Sequence, residues 1–165
     1  MKKMIAAVLA VAMVLVFSVP ALAAVVETAD LITDGGDVLT ATDVGDIEVD
    51  YDAGAITVSC TAIDSPWVIV ETHVYISTDA PRKHSPGKFP YEDGQAVSGF
   101  TTGDLVYIAY HAEIWDDNGT PEILDDDVYE TVWAQTGDID TLFKDSPAPG
   151  AKGNKWATYF TYTIP

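Results

Sequence analysis

Cysteine is almost missing from this chain: Cys60 is the only one. One thiol cannot close a disulfide within the chain, so no disulfide framework holds the fold. In residues 55–63, AITVSCTAI, Cys60 shares a face with Ile56 and Val58 and reads as a small buried apolar side chain. Basic residues are scarce too, with 8 Lys+Arg against 26 Asp+Glu and a formal charge of -18. That sign excludes binding nucleic acid phosphates through a basic face. No window carries an apolar 3.6-residue period, and no segment repeats, so helical bundles and solenoids are excluded. The histidines form no H-x-x-x-H or H-E-x-x-H, and the acids do not follow EF-hand spacing. Ser65 and Ser146 both stand in Asp-Ser-Pro turns, which are not nucleophile elbows. Disorder is excluded by what is present: 48% hydrophobic residues, with 4 Trp, 8 Tyr and 5 Phe.

The one long hydrophobic run is N-terminal. Lys2 and Lys3 precede the apolar residues 4–19, then Pro20 and Ala21-Leu22-Ala23 follow. A basic start, an apolar run and an A-x-A site predict a secretory signal peptide over residues 1–23. The run is shorter than the roughly 20 residues that span a bilayer, so no stable membrane span is expected after cleavage. The expected product, residues 24–165, is a single domain that is secreted, extracellular or at the cell surface. It carries 6 basic and 26 acidic residues, a charge of -20. Nineteen of the acids are Asp, a residue that favours turns and oxygen-ligand metal loops over strands.

Period-two alternation dominates the rest. Ile47, Val49 and Tyr51 alternate with acids across 46–52, and Asp52-Ala53-Gly54 leads into 55–63 as a hairpin. Further strands are predicted over 68–77, 104–115, 128–135 and 156–164, with fainter ones over 29–33 and 38–44. About seven short strands with Gly, Pro and Asp turns predict an all-β fold. The expectation is a single antiparallel β-sandwich, Ig-like or jelly-roll-like, with a closed barrel as the alternative. Two irregular segments, 78–103 and 137–154, interrupt it. Both exceed about 15 residues, a length usually tied to function.

Five segments carry a resemblance: ETHVY at 71–75, PGKFPY at 86–91, YIAYHA at 107–112, ETVWA at 130–134 and WATYFTY at 156–162. Together they resemble an uncharacterised domain of secreted bacterial and archaeal proteins. The resemblance implies an extracellular setting, a β-rich fold and a chain made of this domain alone. It brings no established activity and therefore no catalytic residues.

Four groups of residues are candidates for function. Asp46, Glu48, Asp50 and Asp52 fall on one strand face, about 6.6–7 Å apart. Neighbouring charges at that spacing repel by about 0.6–0.7 kcal/mol in water, more beside a low-dielectric surface. The stripe is either a hydrated outer face or part of a calcium site, which needs further oxygen ligands from elsewhere. Asp116, Asp117 and Asn118, with Asp125, Asp126 and Asp127, are the second calcium candidates, joined in turns by Asp138 and Asp140. Simple solubility, including adaptation to high salt, explains the same acids. Glu71 and His73, with His111 and Glu113, form the third group. If their strands pair antiparallel, two imidazoles and two carboxylates converge as in a transition-metal shell. Half-buried, hydrogen-bonded histidines are the plainer reading. The fourth group is an aromatic loop holding half of the basic residues left after cleavage: Arg82, Lys83 and Lys88, with Phe89 and Tyr91. Pro86-Gly87 there suits a type II turn. The loop either folds back on its own domain or docks on a negative patch of another copy. Stacking of a sugar on Phe89, Tyr91 or Trp67 is a further use. Asn118-Gly119-Thr120 is an N-glycosylation sequon.

The expected function is therefore a non-catalytic structural module of the cell surface or an extracellular assembly. It associates with itself or with cell-surface proteins, aided by calcium. The alternative is an extracellular ligand- or carbohydrate-binding module. An enzyme would need a cleft that joins Glu71, His73 and His111, and the sequence gives no reason to expect one.

Overall fold

The computed structural model describes residues 27–33, 41–82, 85–116, 128–136, 141–142 and 157–165. The predicted signal peptide lies outside them. Among the described residues, nine strands follow in chain order: β1 (Glu27–Thr33), β2 (Thr42–Asp52), β3 (Ala55–Ile63), β4 (Trp67–Ser77), β5 (Val97–Ser98), β6 (Leu105–Asp116), β7 (Val128–Gln135), β8 (Thr141–Leu142) and β9 (Thr158–Thr163). All pairings are antiparallel. The all-β antiparallel expectation holds. The strands lie in one continuous sheet that curls nearly shut into a barrel. The division into two packed sheets that a sandwich requires is not seen among the described residues.

β1, β2 and β3 form a meander. The β2–β3 hairpin turns through Ala53 and Gly54, both with positive φ (48° and 86°), and pairs Asp52 with Ala55. Two positive φ values in a two-residue loop match the twist of the strands it joins. β2 starts at Thr42, so residues 42–44 of the fainter strand expected over 38–44 belong to it, and residues 38–40 lie outside the described residues. At Gly45 the ladders to β1 and β3 both shift register nearby, and a Cβ there would collide with the Ala62 carbonyl.

β6 is the centre of the other half. β4 runs along one of its edges, from Trp67 opposite Asp116 to Ser77 opposite Tyr107. Along its other edge, β9 pairs with Leu105–Ile108 and β7 with His111–Asp116. The far end of β7 then pairs with β1, Asp30 opposite Gln135, which joins the two halves.

The remaining gap lies between β3 and β4, which follow each other in sequence yet share no ladder. Residues 91–94 close it. Tyr91 and Val74 exchange backbone hydrogen bonds of 3.2 and 2.8 Å, and the Gly94 amide donates to the Val58 carbonyl at 2.9 Å. Asp93, between them, accepts at Oδ1 from the Cys60 amide (2.6 Å) and the Tyr110 hydroxyl (2.9 Å). Its own amide donates to Thr72 Oγ1 at 3.1 Å. One loop aspartate thus ties β3, β4 and β6 together.

The barrel interior holds the alternate residues of each strand: Leu31, Ile47, Val49, Ile56, Val58, Val74, Ile76, Ile108, Tyr110, Ile114, Val132 and Phe160 are all buried there. Cys60 packs against this core on the expected face, but it is half-buried and not fully buried. A second apolar layer covers the outer face of β4, β6, β7 and β9, where Ala109, Trp133, Ala157 and Tyr159 pack with Tyr75, Phe89 and Tyr107. β6 is therefore covered on both faces, which explains why its sequence is a nearly unbroken apolar run.

Candidate functional site

The acidic stripe forms as expected. Ile47 and Val49 turn into the core, so Asp46, Glu48, Asp50 and Asp52 line the outer face of β2. β3 sets Ser59 and Thr57 beside Glu48 and Asp50, while β1 sets Thr28 beside Glu48. Asp30 of β1 stands opposite Asp46 and adds an acid that strand spacing alone did not reveal. Burial, then the charges of Asp43 and Asp46, push the Asp30 carboxyl above its usual range. Among the described residues, no three His, Cys, Asp or Glu side chains gather around a point where a metal ion could sit. Asp116, at the end of β6, is the described member of the second calcium group. Asp117, Asn118, Asp125, Asp126 and Asp127 lie outside the described residues, as do Asp138 and Asp140.

β4 and β6 do pair antiparallel, and their register puts Glu71 opposite Glu113 and His73 opposite His111. All four share the outer face. The imidazoles stack with centroids 5.8 Å apart at 28°. Glu71 Oε1 lies 3.4 Å from His73 Nε2. His111 is 4% exposed and meets Trp133 edge-on at 4.9 Å. Burial, with the neighbouring His73 second, lowers its pKa from 6.5 to about 4, and its Nδ1 has no hydrogen-bond partner among the described residues. His111 is thus a neutral packing side chain, and His73 forms the polar rim above it.

The basic loop folds back over the outer apolar layer. Phe89 leans on Tyr75 (5.8 Å) and Trp133 (6.2 Å). Tyr91 joins the barrel wall against β4 and, partly buried, packs on the inner core. Residues 86–88 do not make the expected type II turn. They wind into a 3-10 turn, with the Lys88 amide on the Ser85 carbonyl (2.9 Å) and the Phe89 amide on that of Pro86 (2.7 Å). Pro86 fixes a φ that suits either turn, and the packing of Phe89 selects the tighter one. Arg82 and Lys88 are exposed, and neither meets a carboxylate among the described residues. Lys83 lies outside those residues. Between Arg82 and Lys88 is a depression of about 590 Å³, walled by Tyr75, Phe89, Pro81 and Ser85. The Tyr75 hydroxyl donates to the Asp79 carbonyl at 2.6 Å and holds the near rim. Burial above all pushes the Tyr75 hydroxyl pKa up, so it stays protonated. Trp67, the other aromatic considered for stacking, packs against the inner core.

The five segments that carry the resemblance meet in one place. Tyr75, Phe89, Tyr107, Ala109, Trp133, Ala157 and Tyr159 come from those segments and make up the outer layer. Comparison with protein-family models, curated proteins and solved structures finds no match to this chain. Among the described residues, no helix is long and apolar enough to cross a membrane.

Proposed function

We propose that this chain is a secreted, non-catalytic structural module that associates with itself in an extracellular or cell-surface assembly, with calcium as its stabilising ion. The observation that supports this reading is that the acidic stripe of β2 lies apart from the two described cations around the barrel. β2, with its acidic stripe, is three strands from β6 in either direction, through β1 and β7 or through β3 and β4. Arg82 and Lys88, the two cations among the described residues, sit over the β4–β6 side. Unlike charges on opposite sides favour head-to-tail contacts, which close into rings or extend as filaments. Cations that bind only the folded stripe would also stabilise the fold, by about 2.7 kcal/mol at a hundredfold excess over the dissociation constant.

Sedimentation and electron microscopy of the purified protein, with millimolar calcium and with EDTA, test this. Calcium should yield polymers and a higher melting temperature, and EDTA should reverse both. The double variant Arg82→Glu, Lys88→Glu should stay monomeric and folded. A protein that remains monomeric with an unchanged melting curve in calcium refutes the proposal. The second reading, a ligand- or carbohydrate-binding module, is favoured by the depression between Arg82 and Lys88.

A further inference from the structure

The depression beside the basic loop is built for more than a flat charge contact. Its volume of about 590 Å³ falls within the roughly 300–1,000 Å³ typical of small-ligand sites. Two rings, Tyr75 and Phe89, line it, and they meet at 5.8 Å and 55°, so they offer faces at different angles. Phe89 is anchored from behind by Trp133, and the Tyr75 hydroxyl is tied to Asp79. The rings are thus held before any ligand arrives, which lowers the ordering cost of binding. The only two cations among the described residues, Arg82 and Lys88, line it together with Ser85 and one acid, Asp79.

We propose that this depression binds an acidic carbohydrate: a pyranose ring that carries a carboxylate, as in a uronate-containing polysaccharide. The apolar C–H face of the sugar lies on Phe89 and Tyr75, where an aromatic face is complementary to it. The carboxylate sits between Arg82, whose planar fork suits two carboxylate oxygens, and Lys88, a mobile point charge. Ser85 is placed to accept from or donate to a ring hydroxyl. The inference rests on the ligand-binding reading and names its chemical class.

The test is calorimetric titration of the purified protein with a hexamer of galacturonic acid and with its fully methyl-esterified form, which keeps the rings and loses the charges. Dilute protein keeps self-association out of the measurement. The acid hexamer should bind, and the ester at least tenfold more weakly. Arg82→Gln and Lys88→Gln, both at exposed positions and checked for an unchanged melting curve, should each weaken binding about tenfold, the loss of one charge-assisted contact. Phe89→Leu, checked for an unchanged melting curve, should weaken it several-fold. If acid and ester bind equally, the acidic class is wrong while the ligand-binding reading survives. If neither binds, both fall. An aspartate-rich peptide that binds as tightly as the hexamer shows that the site reads charge without a ring, and overturns the proposal in favour of protein docking.

Discussion

Asp93 joins three strands from a single loop position. It lies in a loop, yet its carboxylate holds a β3 amide and a β6 hydroxyl, and its amide holds a β4 side chain. Asp93→Ala strips two donors of their acceptor, and the Tyr110 hydroxyl is part-buried. Hydrogen bonds to charged groups contribute about 1.5–3 kcal/mol. The substitution should lower stability by about 2–3 kcal/mol in urea denaturation, and Asp93→Asn, which keeps an acceptor oxygen, by less. A midpoint that does not move would mean that the seam is held by Tyr91 and Gly94 alone. His111 gives a second residue-scale outcome. Its folded pKa of about 4 is below its unfolded value of 6.5, so between these values the unfolded chain takes up a proton that the folded chain refuses. Stability is therefore full above pH 6.5 and declines as pH falls towards 4, by about 3 kcal/mol at most. His73 and Glu71 on β4, Glu113 on β6 and Trp133 on β7 surround the ring. Thermal melts from pH 7 to 4 should show His111→Phe losing less stability than the natural protein. Parallel curves would contradict the assignment.

At the scale of elements, the β2–β3 hairpin carries a visible flaw. Ala53 adopts φ 48°, a left-handed conformation that costs a non-glycine residue roughly 1–2 kcal/mol. Asn tolerates that conformation better and is favoured in this turn type. Ala53→Asn should raise stability by about 0.5–1 kcal/mol, seen as a higher melting temperature. The hairpin itself was legible in the sequence because β2 buries one face only, so Ile47 and Val49 alternate with acids. The same logic exposed β4 and β7, and it set Glu71, His73, His111 and Glu113 on matching faces before their register was known. β5 and β8, at two residues each, have no period to detect. Pro86-Gly87 is compatible with both a type II and a 3-10 turn, and only the seat of Phe89 decides. The role of Asp93 left no local trace, because its partners stand 17 to 33 residues away. Barrel and sandwich share the same strands and differ in how distant edges meet, which alternation does not encode.

At the scale of the whole molecule, the acidic stripe and the apolar outer layer lie apart among the described residues. The acids of β2 face one way, and the double-layered side, which holds Arg82 and Lys88 together with Glu71, Asp79 and Glu113, faces the other. A uniform solubilising coat would not need that asymmetry, which is why the proposals place their contacts on it. The sheet also has an order of assembly written into its ladders. β1 sits between β2, which follows it closely, and β7, whose Gln135 meets Asp30 from far along the chain. Contacts so distant in sequence are slow to form. The meander of β1, β2 and β3 can take shape as soon as it is made, but one edge of β1 must then wait for β7. During that delay the waiting edge is a template for any strand of matching pattern, including β7 of another copy. Crowded folding thus carries an intrinsic hazard of exchanged strands, and the unusually high charge of the neighbouring β2 face acts as a repellent that keeps nascent copies apart.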